Sequence, residues 1–175
     1  MQVVVMGVTG VGKTTVGMLI AQRLGALFVD ADDFHPPANV AKMRAGIPLD
    51  DVDRQPWLAA LNARLRAAAA QGAPLVLACS ALKSVYRERL RDNLPTLRFV
   101  HLVGARELIA GRLESRTGHY MNPALLDSQF ATLESPDDVL TLDVGDTPEA
   151  LADAACAALA GTSPRSVACN AADVR

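Results

Sequence analysis

Five continuous runs of Val, Leu and other apolar residues recur along the chain, and polar segments with helical spacing separate them. Continuous apolar runs are typical of strands that are buried on both faces of a sheet. The runs cover residues 2–8, 26–31, 74–80, 97–103 and 139–144. Strands that alternate with helices in this way predict right-handed βαβ units and a parallel sheet with helices on both faces.

The helical segments carry end signals of their own. The first closes on Gly25 and the second on Gly72, because glycine adopts the left-handed backbone of a helix C-cap without strain. We expect the second helix to begin near Pro56, with Asp51 or Asp53 as its N-cap. These signals predict two well-bounded helices in the first half of the chain.

Two segments are longer than ordinary connections of an α/β domain. Residues 35–54 form a polar insert before the second helix, and residues 116–136 separate the fourth helix from the fifth strand. Long insertions above the carboxyl ends of parallel strands commonly contact ligands. We therefore expect a substrate insert and a lid within one domain of residues 1–161, followed by a loose tail of residues 162–175.

Composition narrows the function classes. The chain has 175 residues, half of them hydrophobic, and a net charge of −2, which excludes a globally basic nucleic-acid binder. No window is apolar enough for a membrane span, and the first residues lack a signal-peptide pattern. The three cysteines have no metal-ligand spacing, so we expect a reduced cytoplasmic location. From the net charge and the lack of a long apolar window, we expect no nucleic-acid or membrane partners.

A glycine-rich loop, GVTGVGKT at residues 7–14, joins the first strand to the first helix and matches the phosphate-binding pattern G-x-x-x-x-G-K-[ST]. Such a loop turns its backbone N–H groups toward phosphate oxygens at a helix N-terminus. We expect Lys13 to reach the β- and γ-phosphates of ATP and Thr14 to ligate Mg²⁺. The residues expected to bind the nucleotide here are Gly7, Val8, Thr9, Gly10, Val11, Gly12, Lys13, Thr14 and Thr15.

Three aspartates crowd the end of the second strand and need a positive partner. Residues two apart on a strand share a face, so we expect Asp30 and Asp32 to project together and Asp33 to turn away and cap the next helix. The carboxyl ends of neighbouring strands meet in one crevice, where Mg²⁺ and Lys13 supply the positive charge. We expect Asp30 to serve the metal and Asp32 to act as catalytic base toward an acceptor hydroxyl.

Other phosphate-loop classes leave marks that this sequence lacks. The guanine-nucleotide patterns D-x-x-G and N-K-x-D do not occur, and the third strand ends in LACSALK without the acid of a motor or AAA-type ATPase. The pattern therefore favours transfer of the γ-phosphoryl group to a small molecule beneath a lid. A nucleotide-binding sensor that performs no transfer stays open as an alternative.

Four motifs resemble the small gluconokinases, relatives of shikimate and adenylate kinases, from about Val3 to Pro148: GVTGVGKTTVG, DADDFHPPANVAKMRAGIPLDDVDRQPWL, CSALKSVYRERLR and GHYMNPALLDSQFATLESP. The resemblance implies a three-layer α/β/α fold with strand order 2-3-1-4-5 and a homodimer. It also implies Mg²⁺-dependent transfer from ATP to the 6-hydroxyl of D-gluconate. A kinase of another hydroxy acid, such as shikimate, is the nearest alternative.

A sugar acid offers one carboxylate and several hydroxyls, so its site needs a cationic fork and polar acceptors. Arg54 is the first candidate for the carboxylate, and His35 is a hydroxyl partner beside Asp32. Lys83 and Arg87 are spaced four apart, so on one helix they would share a face that favours an anion between them.

Two arginines of the late segment, Arg112 and Arg116, are also four apart. In related kinases, arginines in this region lie beside the adenine and over the phosphates. The resemblance therefore implies that Arg112 packs against the base and that Arg116 stabilises the transferring group. For Trp57 we expect core packing alone, and Gln129 receives no role.

Overall fold

A computed structural model describes residues 1–115 and 123–161. Its sheet has five strands: β1 (Gln2–Met6), β2 (Leu27–Asp30), β3 (Leu75–Ala78), β4 (Arg98–Val103) and β5 (Leu140–Asp143). Every neighbouring pair is parallel, in the order β2-β3-β1-β4-β5. The predicted parallel sheet and its strand order are confirmed, and all five apolar runs form strands.

The described helices are α1 (Lys13–Leu24), α2 (Pro37–Arg44), α3 (Asp51–Ala70), α4 (Ser84–Arg91), α5 (Arg106–Glu114), α6 (Pro123–Thr132) and α7 (Pro148–Leu159), with a 3₁₀ turn at Ala31–Phe34. The expected insert thus contains α2, and the expected lid contains α6. Residues 116–122 of that lid and the tail of residues 162–175 lie outside the described residues. Within the described ranges, no helix combines the length and apolar character that a membrane crossing needs.

Strand β1 explains why the apolar runs are continuous. Val3 and Val5 pack into a core on one face of the sheet with residues of α1, α5 and α7. Val4 and Met6 point to the opposite face, into a core with residues of α3 and α4. Because both faces are covered, successive positions are buried alike, and the carboxyl edge of the sheet is left for chemistry.

The start of α3 differs from the expectation. The helix begins at Asp51, and Asp50 is its N-cap: the Asp50 carboxylate accepts from the N–H of Asp53 at 2.8 Å, and the Asp53 carboxylate accepts from the N–H of Asp50 at 3.1 Å. This reciprocal capping box begins the helix ahead of Pro56, which lies inside it. The predicted start at Pro56 is therefore wrong, and the N-cap residue is Asp50 in place of Asp51 or Asp53, although Asp53 contributes the second half of the capping box.

The capping box makes Asp50 a stability determinant. Replacing Asp50 with alanine removes the acceptor for the Asp53 N–H, and we expect the free energy of unfolding to fall by about 0.5–2 kcal/mol. Urea denaturation of Asp50→Ala against wild type measures this loss. Asp137→Ala, at an exposed position, is the matched control. An equal loss in both variants would mean that the cap contributes nothing.

Candidate active site

The phosphate-binding loop connects β1, the central strand, to α1. Two of its glycines have positive φ angles and touch neighbouring elements: Gly7 at 141° and Gly10 at 77°. A Cβ atom at Gly7 would lie 2.6 Å from the carbonyl oxygen of Leu102, and one at Gly10 would lie 2.6 Å from Cγ of Leu113. Only glycine fits these positions, so the loop is held tightly against β4 and α5.

The valine and lysine side chains of the loop point to different places. Val8 and Val11 are buried in the core, so only their backbone groups can face a phosphate. Lys13 is the first residue of α1, and its Nζ donates to the carbonyl oxygen of Val8 at 2.9 Å. The ammonium group therefore lies over the loop, where the N-terminus of α1 also favours an anion.

The end of β2 and the 3₁₀ turn that follows it, residues 30–34, form an acidic turn that reaches this loop across the sheet. Although β3 lies between β2 and β1, the Asp30 Oδ2 accepts a hydrogen bond from Thr14 Oγ1 at 3.0 Å. Hard oxygen donors of this kind suit Mg²⁺, which is usually held by one or two protein groups together with phosphate oxygens and water. No cluster of three or more His, Cys, Asp or Glu within residues 1–115 and 123–161 forms a metal site on its own.

The route by which Asp30 and Asp32 meet differs from the prediction. Strand β2 ends at Asp30, and Asp32 lies in the 3₁₀ turn, so strand alternation does not align them. Instead, Asp30 Oδ1 accepts from the N–H of Asp32 at 3.1 Å and caps that turn. The expectation that Asp33 caps the next helix is wrong as well, because α2 begins at Pro37 without a side-chain cap.

The electrostatics of Asp32 reflect both neighbouring charges. Desolvation by the surrounding protein and the carboxylate of Asp30 raise the pKa of Asp32, while His35 and Lys13 oppose the shift. Water screens these effects, since the Asp32 side chain is 88% exposed. The charge of Lys13 is thus close enough to act on Asp32, in the direction that opposes the effect of burial.

His35 is the C-cap residue of the 3₁₀ turn that contains Asp32. Its ring stacks on Trp57 with centroids 4.5 Å apart and planes 9° from parallel. Its Nε2 is 3.8 Å from Asp32 Oδ1, which is too far for a direct hydrogen bond. Burial disfavours the charged form of the ring and is the main cause that lowers the pKa of His35 below the ordinary histidine value of 6.5. The neutral form is therefore favoured at pH 7.

Arg54 and Lys83 meet at the ring of Tyr86. The guanidinium carbon of Arg54 and the Nζ of Lys83 each lie 5.6 Å from the centroid of that ring. Asp51 accepts hydrogen bonds from Lys83 at 2.8 Å and from the Tyr86 hydroxyl. The structure therefore brings together two of the cationic side chains that the sequence suggested for a substrate carboxylate.

Arg87 does not join this group. Lys83 is the N-cap residue of α4 and precedes the helix, so the expected shared helical face with Arg87 is wrong. The Arg87 side chain is buried, and its Nη1 donates to the carbonyl oxygens of Ala81 at 3.0 Å and Leu82 at 2.9 Å. Arg87 thereby fixes the loop that carries Lys83.

Arg112 lies in α5 and contacts the segment that follows β5. Its Nη2 donates to the carbonyl oxygen of Val144, just after β5, at 2.7 Å. This contact fixes the side chain between α5 and the connection from β5 to α7. Arg116, the expected partner of the transferring group, lies outside the described residues.

Two polar contacts from the segment around α6 were not predicted. Gln129 Oε1 accepts from the N–H of Thr9 in the phosphate-binding loop at 2.7 Å. The Glu134 carboxylate accepts from the N–H of Ser84 at 2.6 Å and so caps α4. Both acceptors belong to the motif SQFATLESP, but nothing in their spacing indicates which distant N–H each one binds.

Comparisons with known proteins identify the family. A gluconokinase from Gluconobacter oxydans (strain 621H) is 54% identical over 136 residues, which cover 77% of this chain and 76% of the relative. The chain belongs to the gluconokinase family. The thermoresistant gluconokinase of Escherichia coli (strain K12) is 43% identical over 145 residues, which cover 81% of this chain and 83% of the relative.

Solved structures agree with this gluconokinase assignment. The crystal structure of a gluconokinase from Sinorhizobium meliloti 1021 has a TM-score of 0.83 and 44% identity, and covers 91% of each chain. Shikimate kinase from Aquifex aeolicus vf5 is 16% identical with a TM-score of 0.56, which supports the fold alone. As a member of the gluconokinase family, the chain is a kinase.

The chain also belongs to the family described as "AAA domain", which matches residues 3–136. The matched range includes the phosphate-binding loop and the acidic turn. In this gluconokinase family member, however, β3 ends at Ala78 and is followed by Cys79 and Ser80. The acid of a motor ATPase is absent from that position, and the acids stand at the end of β2 instead.

Proposed function

We propose that this chain transfers the γ-phosphoryl group of ATP to the 6-hydroxyl of D-gluconate, giving ADP and 6-phospho-D-gluconate. The hydrogen bond between Thr14 and Asp30 is the observation that carries this proposal. It joins the nucleotide loop to the acidic turn, so a phosphate donor and a hydroxyl acceptor can meet in one crevice.

The nucleotide side uses the loop of residues 7–15 and Lys13, whose ammonium group faces the charge that develops on the transferred group. Thr14 and Asp30 would hold Mg²⁺, which when bound neutralises charge on the β- and γ-phosphoryl oxygens. For Arg112, which donates to the carbonyl oxygen of Val144, a role beside the adenine rests on the family resemblance. For Arg116 the proposal rests on the family resemblance.

The acceptor side uses Asp32 and His35. Their facing atoms, Oδ1 and Nε2, are 3.8 Å apart, so one hydroxyl oxygen placed to the side of both could hydrogen-bond to each at about 2.8 Å. The neutral imidazole donates its Nε2–H to that oxygen, and Asp32 accepts the hydroxyl hydrogen. The hydroxyl oxygen is thereby oriented for attack while its proton is removed.

The carboxylate of D-gluconate is proposed to bind Arg54 and Lys83 beside Tyr86. Arg54 supplies a planar fork that matches a carboxylate, and Lys83 supplies a second charge. Arg87 supports this site by holding the carbonyl groups of Ala81 and Leu82. Because Asp51 pairs with Lys83, only part of the local positive charge remains for the substrate.

The Arg54 assignment predicts a substrate-specific defect. Arg54→Ala removes charge-assisted hydrogen bonds to the carboxylate, so we expect the KM for D-gluconate to rise about 10- to 100-fold, with the KM for ATP unchanged. Steady-state kinetics with each substrate varied measures both constants. Arg66→Ala, at an exposed position of α3, is the control. A rise no larger than that of this control would exclude Arg54 from the site.

Release of ADP tests the proposed function. Purified protein with ATP and Mg²⁺ is offered D-gluconate, shikimate, other sugar acids and glucose, which lacks the carboxylate. We expect ADP with D-gluconate alone. ADP only with shikimate or another acid would support the alternative kinase, and ATP binding without release for any acceptor would support a sensor.

Two further proposals concern assembly and location. The family resemblance implies a homodimer, and the cysteine spacing, the net charge and the lack of a long apolar window favour a cytoplasmic location without nucleic-acid or membrane partners. Light scattering on the eluting peak of a size-exclusion column measures the mass in solution. A mass of one 18.5 kDa chain at micromolar concentration would contradict the dimer.

A further inference from the structure

Trp57 is the single tryptophan of the chain, and it lies beneath the acidic turn. It projects from α3, is 3% exposed, and contributes to the core on that face of the sheet. Unlike the other buried side chains of α3 in that core, it also makes a polar contact: its Nε1 donates to the carbonyl oxygen of Ala31 at 2.7 Å. The residue therefore does more than fill volume.

The contacts of Trp57 bracket Asp32 along the chain. Ala31 precedes Asp32 and is held through its carbonyl oxygen, and the ring of His35 closes the turn and stacks on the indole. Asp30 adds a third restraint through the N–H of Asp32. Ala31, the first residue of the 3₁₀ turn, and His35, its C-cap residue, both contact the indole, so α3 fixes the backbone position from which the Asp32 side chain projects.

The ring of His35 depends on this stack for its orientation. None of the described residues hydrogen-bonds to its buried Nδ1, and its Nε2 is 3.8 Å from Asp32. Its side chain is only 7% exposed, so little water reaches the ring. A proton on Nε2 leaves a lone pair at the unpartnered Nδ1, whereas a proton on Nδ1 would leave a buried donor unsatisfied. The stack on Trp57 fixes the plane of the imidazole, and within that plane Nε2 is the ring nitrogen that lies 3.8 Å from Asp32.

We propose that Trp57 is a positioning residue for phosphoryl transfer, which holds Asp32 and His35 at the spacing that receives the acceptor hydroxyl. The inference rests on the proposed function, because it takes Asp32 as the base. It assigns to the indole two separable tasks, a hydrogen bond to Ala31 and a stacking surface for His35.

Two variants separate these tasks. Trp57→Phe keeps a flat ring for His35 but loses the N–H, and Trp57→Leu loses both. Because misplacement of a catalytic group by about 1 Å can cost about 100-fold in rate, we expect kcat to fall about tenfold in the first variant and about 100-fold in the second. We expect the KM for ATP to stay unchanged, since the hydrogen bond and the ring stack of Trp57 go to Ala31 and His35 and not to the phosphate-binding loop.

Leu61→Ala is the matched control for lost stability. Leu61 is fully buried in the same core and on the same helix, and it makes no polar contact with the acidic turn. Urea denaturation measures the free energy of unfolding of all three variants. If Trp57→Phe and Trp57→Leu lose no more kcat than a Leu61→Ala protein of similar stability, the inference is overturned.

Tryptophan fluorescence provides a readout besides activity. Trp57 is the single tryptophan, so light that tyrosine does not absorb excites this residue selectively. We expect D-gluconate to change the emission of wild-type protein, and His35→Ala to change the emission without ligand. A wild-type emission that is indifferent to saturating D-gluconate would overturn the inference. Turnover by Asp32→Asn would remove the proposed base and the inference together, whereas an inactive Asp32→Asn with fully active Trp57 variants would remove the inference alone.

Discussion

Replacing Lys13 with methionine is expected to lower kcat about 100- to 1000-fold. Methionine keeps a flexible, unbranched side chain of nearly the same length and deletes its charge. In the structure the ammonium group folds over the phosphate-binding loop to the carbonyl oxygen of Val8 at 2.9 Å, where a γ-phosphoryl group would pass. The loss therefore comes from unbalanced charge in the transition state and not from a cavity.

The comparison with Lys42→Met makes this result specific to the loop. Lys42 is paired with Asp53 at 2.6 Å on the insert, so its loss alters the net charge of the protein equally without changing the loop. Rates of ADP release at saturating ATP and D-gluconate give kcat for each variant. Lys13→Met working within tenfold of Lys42→Met would contradict the electrostatic role.

Asp32→Asn is expected to lower kcat by about 100- to 10,000-fold, which nearly abolishes turnover, while ATP binding stays near normal. An amide has nearly the shape of the carboxylate but cannot accept the hydroxyl proton. The hydrogen bond from the Asp32 N–H to Asp30 does not involve the Asp32 side chain, so the turn should persist. Calorimetric titration with ATP and steady-state kinetics measure the two effects.

Asp33→Asn is the matched control, because it changes an adjacent carboxylate of the same 3₁₀ turn. We expect this variant to keep nearly the wild-type rate. Were Asp32→Asn to keep most of its rate as well, another group would be the base, and the proposed acceptor geometry would have to be abandoned.

Strands and the phosphate-binding loop were predictable because their signals are local. A strand covered on both faces must be apolar at successive positions, as Val3 to Met6 are, and the loop glycines stand where a side chain would collide. The start of α3 was missed because two local signals compete. Proline near a helix start is a common signal, but here the reciprocal pair of Asp50 and Asp53 begins the helix earlier.

The rest of the site depends on contacts between distant residues. The meeting of Asp30 with Thr14 followed from topology, since parallel strands deliver their carboxyl ends to one edge. The bond from Thr9 to Gln129 joins positions 120 residues apart, and the partner of the Trp57 indole is a backbone carbonyl. A single sequence does not encode such pairs in any spacing, so Trp57 was assigned to packing alone.

The segment that contains Gln129 and Glu134 connects the phosphate-binding loop to the start of α4. Gln129 accepts from the backbone N–H of Thr9 in that loop, and Glu134 accepts from the first turn of α4, next to Lys83. A displacement of this segment would therefore disturb the phosphate-binding loop and the start of α4 together, so a ligand that restrains one of these places would also restrain the other through it.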